Sequence, residues 1–255
     1  MCEARGVDEP AERSTPRELD LASAAALFGE PARAAMLAAL AGGQALPAGE
    51  LARVAGVHPS TATAHLGRLI EGGLVRVRAQ GRHRYHELAG PEVASVLEAL
   101  AQVSAPVPIR SLRQQRTADA LGEARTCYDH LAGRLGVQLR ERLLLADALA
   151  PLDGRDHAVT EHGCQLLSQM GIDPDRLVAS RRVFARSCLD WTQRKPHLAG
   201  ALPAALTTQF IALGWLTRGK GRSLQAAADY DQKFERWLAA DMHTAAMTSP
   251  SNSRA

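Results

Sequence analysis

Between residues 47 and 88 two short amphipathic helices meet at a glycine and run straight into a strand pair striped with arginine, and few folds accept that order. After Pro47 a first helix carries Leu51 and Val54 and stops at Gly56. A second opens within a few residues, with Ser60 or Thr61 expected as its cap. It places Ala62, Leu66, Leu69 and Ile70 on one face. Two short helices joined by a tight turn make a helix-turn-helix. Gly72-Gly73 ends the second, and Val75, Val77 and Ala79 then alternate with Arg76 and Arg78 up to Gln80-Gly81. Arg84 to Glu87 supply the return strand, so the segment reads as a hairpin, or wing.

The flanking segments complete the unit. A helix is expected from Leu21 and another from Glu30-Pro31, because proline is tolerated at the first helical position. The latter carries Met36, Leu37 and Leu40 and ends at Gly42-Gly43. A helix from Pro91 to Val103 presents Val93, Val96, Leu97 and Leu100. Ser104 to Pro108, with its X-Pro pairs, breaks the periodicity. The expected organisation is an arm at 1–18, a winged DNA-binding and dimerisation domain at 19–104, a regulatory domain at 105–245 and a tail at 246–255. The fold class is α+β: mainly α with small β-hairpins, a winged helix-turn-helix followed by a mostly helical C-terminal domain. Two further hairpins are expected there, near Asp153-Gly154 to Val159 and Trp215 to Leu224.

Composition supports a helical chain with two cores. Apolar residues make up 46% of 255, but only four Phe, three Trp and three Tyr are present, and all of these except Phe28 and Tyr85 lie beyond the break. No apolar run approaches the roughly 18 residues of a membrane span, and the acidic N-terminus lacks the form of a signal peptide. A cytoplasmic protein with no membrane partner is expected. The four cysteines (Cys2, Cys127, Cys164, Cys188) form no CxxC pair and read as free thiols, ligands or sensors.

Net charge, at +3, is uninformative, but its distribution is not. Arg68, Arg76, Arg78, Arg82 and Arg84 face a single acid, Glu71, between Leu66 and His86. A recognition helix reads base edges with its N-terminal half, which assigns that task to Ser60, Thr61, Thr63, His65 and Arg68. The wing, with Arg76, Arg78, Arg82, His83 and Arg84, would hold the phosphate backbone.

These segments resemble the arsenic-repressor-like (ArsR/SmtB) winged-helix family from about Leu21 to Val103. The resemblance rests on Phe28-Gly-Glu-Pro-Ala-Arg33, Glu50-Leu-Ala-Arg-Val-Ala-Gly56, Ser60-Thr-Ala-Thr-Ala-His-Leu66, Glu71-Gly-Gly-Leu-Val75 and Gln80-Gly-Arg-His-Arg-Tyr85. It implies a homodimeric repressor that binds double-stranded operator DNA and leaves it when a small effector binds. It also implies that the first helix and the helix at 91–103 build the dimer interface. Ala64 departs from the pattern, since relatives often carry a longer polar side chain there. Relatives that sense metals hold thiolates in the helix before the recognition helix, or His and acids in the last helix. Here Ala48 to Ala55 has no Cys, and Pro91 to Val103 has neither Cys nor His.

Effector candidates therefore move to the second domain. Cys127-Tyr-Asp129-His130-Leu-Ala-Gly133 is echoed by Cys188-Leu-Asp190-Trp191 and His197-Leu-Ala-Gly200, too briefly to claim a duplicated domain. With Cys127 and His130 three apart on an expected helix, Cys127, Asp129, His130, Cys188, Asp190 and His197 offer the S, N and O ligands of zinc or a softer metal. Against this, cysteines are among the most buried residue types and short Cys-His spacings arise by chance. The cofactor is thus open between a metal ion such as zinc and none. A thiol-based redox sensor and a ligand pocket among the tryptophans are the alternatives. His157, His162 and Cys164 form a weaker group. An enzyme built on Cys127, Asp129 and His130 is disfavoured, because the chain has no GxSxG, P-loop or Rossmann signature.

Overall fold

The computed structural model describes residues 19–239. The expected arm at 1–18 and tail at 246–255, with Cys2, lie outside the described residues. The α+β class holds, and two hydrophobic cores account for it.

The first core gathers α1 (Leu21–Gly29), α2 (Pro31–Leu40), β1 (Leu46–Pro47), α3 (Ala48–Ala55), α4 (Pro59–Glu71), β2 (Val75–Gln80), β3 (His83–Leu88) and α5 (Pro91–Val103). Local chemistry sets each boundary. Glu30 caps α2 by accepting from the Arg33 amide at 2.8 Å, and the buried Arg33 side chain donates back to the carbonyls of Leu27 and Ala26 that end α1. Gly56, at φ +66°, closes α3 in the left-handed conformation that glycine adopts without strain. The strands order β1-β3-β2, and β2 and β3 form the wing. Met36, Leu37, Leu40, Leu51, Leu66, Leu69, Val75 and Leu88 fill the centre.

Two local expectations are corrected. α4 begins two or three residues earlier than a Ser60 or Thr61 cap would allow: His58 caps it and Pro59 takes the first helical position. Ile70 and Val54, expected inside, are exposed. α5 is also more divided than its apolar spacing suggests. Val93 and Ala94 face the first core, whereas Val96, Leu100 and Val103 are exposed.

The second core follows α6 (Leu112–Glu123), capped by Ser111. The order β-β-α-β-β-α then occurs twice. The first pass is β4 (Arg125–Cys127), β5 (His130–Ala132), α7 (Arg134–Leu145), β6 (Leu149–Pro151), β7 (Asp156–Val159) and α8 (Glu161–Gln169). A short α9 (Pro174–Val178) intervenes. The second pass is β8 (Ala185–Leu189), β9 (Pro196–Ala199), α10 (Ala201–Ala212), β10 (Leu216–Arg218), β11 (Leu224–Ala226) and α11 (Tyr230–Leu238). Both expected hairpins are present, and β4-β5 and β8-β9 are additional.

The two passes are interleaved. One sheet runs β6-β7-β8-β9, with β7 of the first pass paired to β8 of the second. On the other side β4 meets the start of β11 through an Arg125–Ser223 bridge. There the Thr126 amide donates to Arg222 O and the Leu224 amide to Ala124 O, both at 2.9 Å. α7 packs on β9 and α10 on β5, so neither pass buries its apolar face alone. Phe210 anchors this core, stacked on Trp215 and edge-on to Tyr230, Phe234 and Trp237.

Candidate nucleic-acid interface and thiol–imidazole cluster

Exposed polar and basic groups lie on α4 and at the wing tip, with Arg68 in the last turn of α4 rather than in the N-terminal half expected for it. Ser60, Thr61, Thr63 and Arg68 are exposed on α4, and Arg82, His83 and Arg84 are exposed at the hairpin tip. Thr63 Oγ1 donates to Pro59 O at 3.0 Å. His65 is different: its side chain is only 16% exposed, and its Nδ1 lies 3.3 Å from Glu30 Oε2. It braces α4 against the cap of α2, a role the helical spacing of exposed residues could not reveal. In the wing, Arg76 Nε is 2.8 Å from Glu87, and Arg78 lies 3.9 Å from the same carboxylate. Glu87 therefore offsets part of their charge and leaves Arg82 and Arg84 as the less compensated cations.

The six effector candidates converge, though not as the expected helix would place them. Cys127 and His130 face each other across the β4-β5 hairpin, joined by a two-residue turn in which Tyr128 has φ +59°. Cys188 and His197 are likewise opposed across β8-β9. The ligand atoms of Cys127, His130 and His197 all lie within 4.8 Å of one another. Cys188, opposite His197, lies against the same group and its ionisation is perturbed by all three. Cys127, Cys164 and Cys188 form no disulfide among the described residues. The pairing of the two thiols, with burial, pushes the Cys127 thiol up, and the same pairing, with the two imidazoles, draws Cys188 far down toward thiolate. Burial opposes charge on His197, yet Asp190 and Cys188 together lift it to about 9.

The two aspartates stand behind the imidazoles. Asp129 Oδ1 lies 3.4 Å from His130 Nδ1, and Asp190 Oδ2 lies 3.4 Å from His197 Nδ1. Arg182 holds Asp129, with Nη2 to Oδ1 at 2.8 Å. Asp190 is fully buried and accepts from the Gly133 amide at 2.7 Å and from Thr192 Oγ1 at 2.6 Å. His157, His162 and Cys164 do not assemble into a comparable group among the described residues. The cavity beside Trp237 measures about 10 Å³, roughly one water, which leaves no room there for an organic ligand.

Comparison with known proteins fixes the family. Residues 28–78 match a helix-turn-helix domain model. The HTH-type transcriptional regulator YdfF of Bacillus subtilis (strain 168) is 38% identical over 220 residues, covering 86% of this chain and 97% of its own. The chain belongs to the HTH-type transcriptional regulators. The arsenic-repressor-like winged helix expected from the sequence agrees with this. Among solved structures, a homodimeric winged helix-turn-helix domain from Mycobacterium bovis is 31% identical, covering 32% of this chain and 75% of its own at a TM-score of 0.30. The cadmium sensor CMTR from Mycobacterium tuberculosis is also 31% identical, covering 36% and 99% at 0.29. No helix among the regulator's described residues is long and apolar enough to cross a membrane.

Two residues that join the regulator's cores escape sequence reasoning. Arg125, fully buried on β4, places Nη2 3.0 Å from Glu98 Oε2 on α5 and 3.2 Å from Asp190 Oδ2. Glu98, only 4% exposed, also receives Arg222 at 3.3 Å. The chain of contacts thus runs from His197 through Asp190 and Arg125 to the last helix of the winged unit. A charged residue on the buried stripe of α5 was the available signal for Glu98. Nothing in the stretch around Arg125 marks it.

Proposed function

We propose that this transcriptional regulator is a homodimeric repressor that reads its operator with α4, grips the flanking backbone with the wing, and releases DNA when an effector binds its C-terminal region. The observation that carries the reading is the pairing of an exposed polar start to α4 with the less compensated Arg82 and Arg84 of the wing tip. Winged helices present base-reading and phosphate-holding groups in this arrangement. The exposed stripe of Val96, Leu100 and Val103 on α5, with Leu21 exposed on α1, supports self-association, because water disfavours such a face unless a second copy covers it.

Fluorescence anisotropy on duplex DNA at several salt concentrations tests the reading. Each phosphate contact contributes a slope of about −0.9 in log K against log salt. Arg82→Ala removes one contact per protomer, so the dimer's slope should flatten by about 1.8 on specific and random duplexes alike. Thr61→Ala should instead narrow the gap between specific and random duplexes. Equal losses from both variants would remove the division of labour. Light scattering without DNA should return twice the chain mass at micromolar concentration, and a monomer mass would defeat the dimer.

A further inference from the structure

We propose that Cys127, His130, Cys188 and His197 hold one divalent cation of the zinc class, and that this cation is the regulator's effector. The second half rests on the reading above; the first does not.

Donor chemistry selects the ion. Two sulfurs and two imidazoles suit a tetrahedral d10 cation, whereas calcium and magnesium demand oxygen. Bonds of about 2.0 to 2.3 Å place tetrahedral donors roughly 3.5 Å apart. The donor atoms of Cys127, His130 and His197, already within 4.8 Å of one another, reach that spacing by small side-chain rotations, and Cys188, opposite His197 across β8-β9, is the fourth donor. Cys127, His130 and His197 are buried, so the shell is made by protein rather than water.

Unpaired nitrogens point the same way. Nε2 of His130 and both ring nitrogens of His197 are buried without a well-formed hydrogen bond, which proteins seldom leave in a core. Each ring has its Nδ1 beside a carboxylate, Asp129 or Asp190, so Nε2 remains for the cluster. A carboxylate behind the far nitrogen of an imidazole is the arrangement that orients metal-bound histidines and raises their basicity. The pattern is present twice, once in each pass of the β-β-α-β-β-α order.

Charge balances as well. On binding, the remaining thiol proton and any imidazolium proton at a metal-facing nitrogen pass to solvent, and two thiolates neutralise a divalent cation, leaving a donor set with no net charge. The cation would also fix the two hairpins against each other. His197 would then set the position of Asp190, which shares Arg125 with Glu98 of α5. An ion that favours one packing of these hairpins thereby favours one placement of the winged unit.

The test uses the full chain, reduced and stripped of metal. Titration with zinc should bind one ion per chain by elemental analysis, and cobalt(II) should give the intense visible bands of a tetrahedral ion with thiolate charge transfer. Cys127→Ser and His197→Gln should lower zinc affinity by about ten-fold or more, and Asp129→Asn by about ten-fold. Circular dichroism checks that each variant folds. If the cysteine variant does not, the wild-type cobalt spectrum and the Asp129→Asn shift decide.

Absence of stoichiometric zinc, a weak octahedral cobalt spectrum, or zinc binding unaltered in folded variants would overturn the site. So would an intact mass showing that Cys127 and Cys188 join as a disulfide in place of binding. Anisotropy on duplex DNA then tests the effector half. Zinc loading should lower affinity by about five-fold or more, and the change should vanish in His197→Gln. One zinc per chain with unaltered DNA affinity would overturn the effector assignment alone. Zinc binding in a chain that ignores DNA in both states would instead overturn the DNA-binding reading.

Discussion

Arg125→Met should lower stability by about 3–5 kcal/mol, the cost of stranding buried partners of an ion pair. In a chain of this size that moves Tm down by roughly 10 °C. Arg125 has no exposed surface and serves several acceptors at once: Glu98, both oxygens of Asp190, Thr192 Oγ1 and Leu121 O. Its guanidinium also lies 4.9 Å over the Trp191 ring. Methionine keeps most of the volume and the ring contact, so the loss is electrostatic rather than a cavity. Glu98 would retain Arg222, and Asp190 would retain Gly133 and Thr192, but Asp190 would be left buried with no guanidinium and Glu98 with one in place of two. Adding Glu98→Gln removes one of the stranded charges, so the double variant should be more stable than the sum of its parts by about 0.5–3 kcal/mol. Urea melts of the four proteins read this directly. Arg125→Met within about 0.5 kcal/mol of wild type, the ordinary scatter of surface substitutions, would show that the cluster is solvated rather than buried.

The winged unit was legible because its signals are local. Helical periodicity around Leu51 and Leu66, strand alternation around Val75, and glycine stops at Gly42 and Gly56 all act within one element. The cap of α4 was misplaced because Ser60 and Thr61 are better cap residues than His58, and the position of Pro59 decided otherwise. The Cys127-His130 hairpin was hidden for a different reason. A spacing of three fits one face of a helix and also the two ends of a two-residue turn. The turn here lacks the Asn-Gly or Gly-X pair that would announce it, and Tyr128 takes the positive φ instead.

The same argument explains why the donors could be suspected but not assembled. The two cysteine–histidine pairs have different spacings because the β4-β5 turn holds two residues, whereas the β8-β9 loop runs from Asp190 to Lys195. Asp129 and Asp190 belong to those connections, which puts them behind the imidazoles rather than among the inner donors. The interleaving of the two passes, with β7 paired to β8 and β4 bridged to Ser223, is a long-range property. No local pattern encodes it, and the short echo around Cys188 was its only trace in the sequence.

Gly43→Ala should uncouple the winged unit from the hairpin that carries Cys127 and His130. Gly43 sits at φ +71°, and a Cβ there would lie 2.0 Å from Tyr128 O and 2.8 Å from Tyr128 C. Neither side yields easily, because the obstructing atoms are backbone in a turn already held at positive φ. That turn is docked by the Tyr128 amide donating to Ala41 O at 2.7 Å, and by Thr126 Oγ1 donating to Gly42 O at 3.1 Å. A left-handed alanine costs about 1–2 kcal/mol, and relieving the overlap about 1–3 kcal/mol more. The relief available is to separate the two backbones, which breaks both hydrogen bonds and exposes the Tyr128 ring now packed against the first core. Hydrogen exchange at the Tyr128 amide should accelerate at least ten-fold, while the amides of α4 and α10, each inside its own core, keep their protection. Gly49→Ala is the matched control: its Cβ meets nothing within 4 Å in α3, so stability should hold or rise by up to about 1 kcal/mol. If Gly43→Ala leaves Tyr128 exchange and Tm where they are in the wild type, the contact at Ala41 and Gly42 is not what couples the hairpin to the DNA-binding unit, and the contacts of α5 through Glu98 and Gln102 carry that coupling instead.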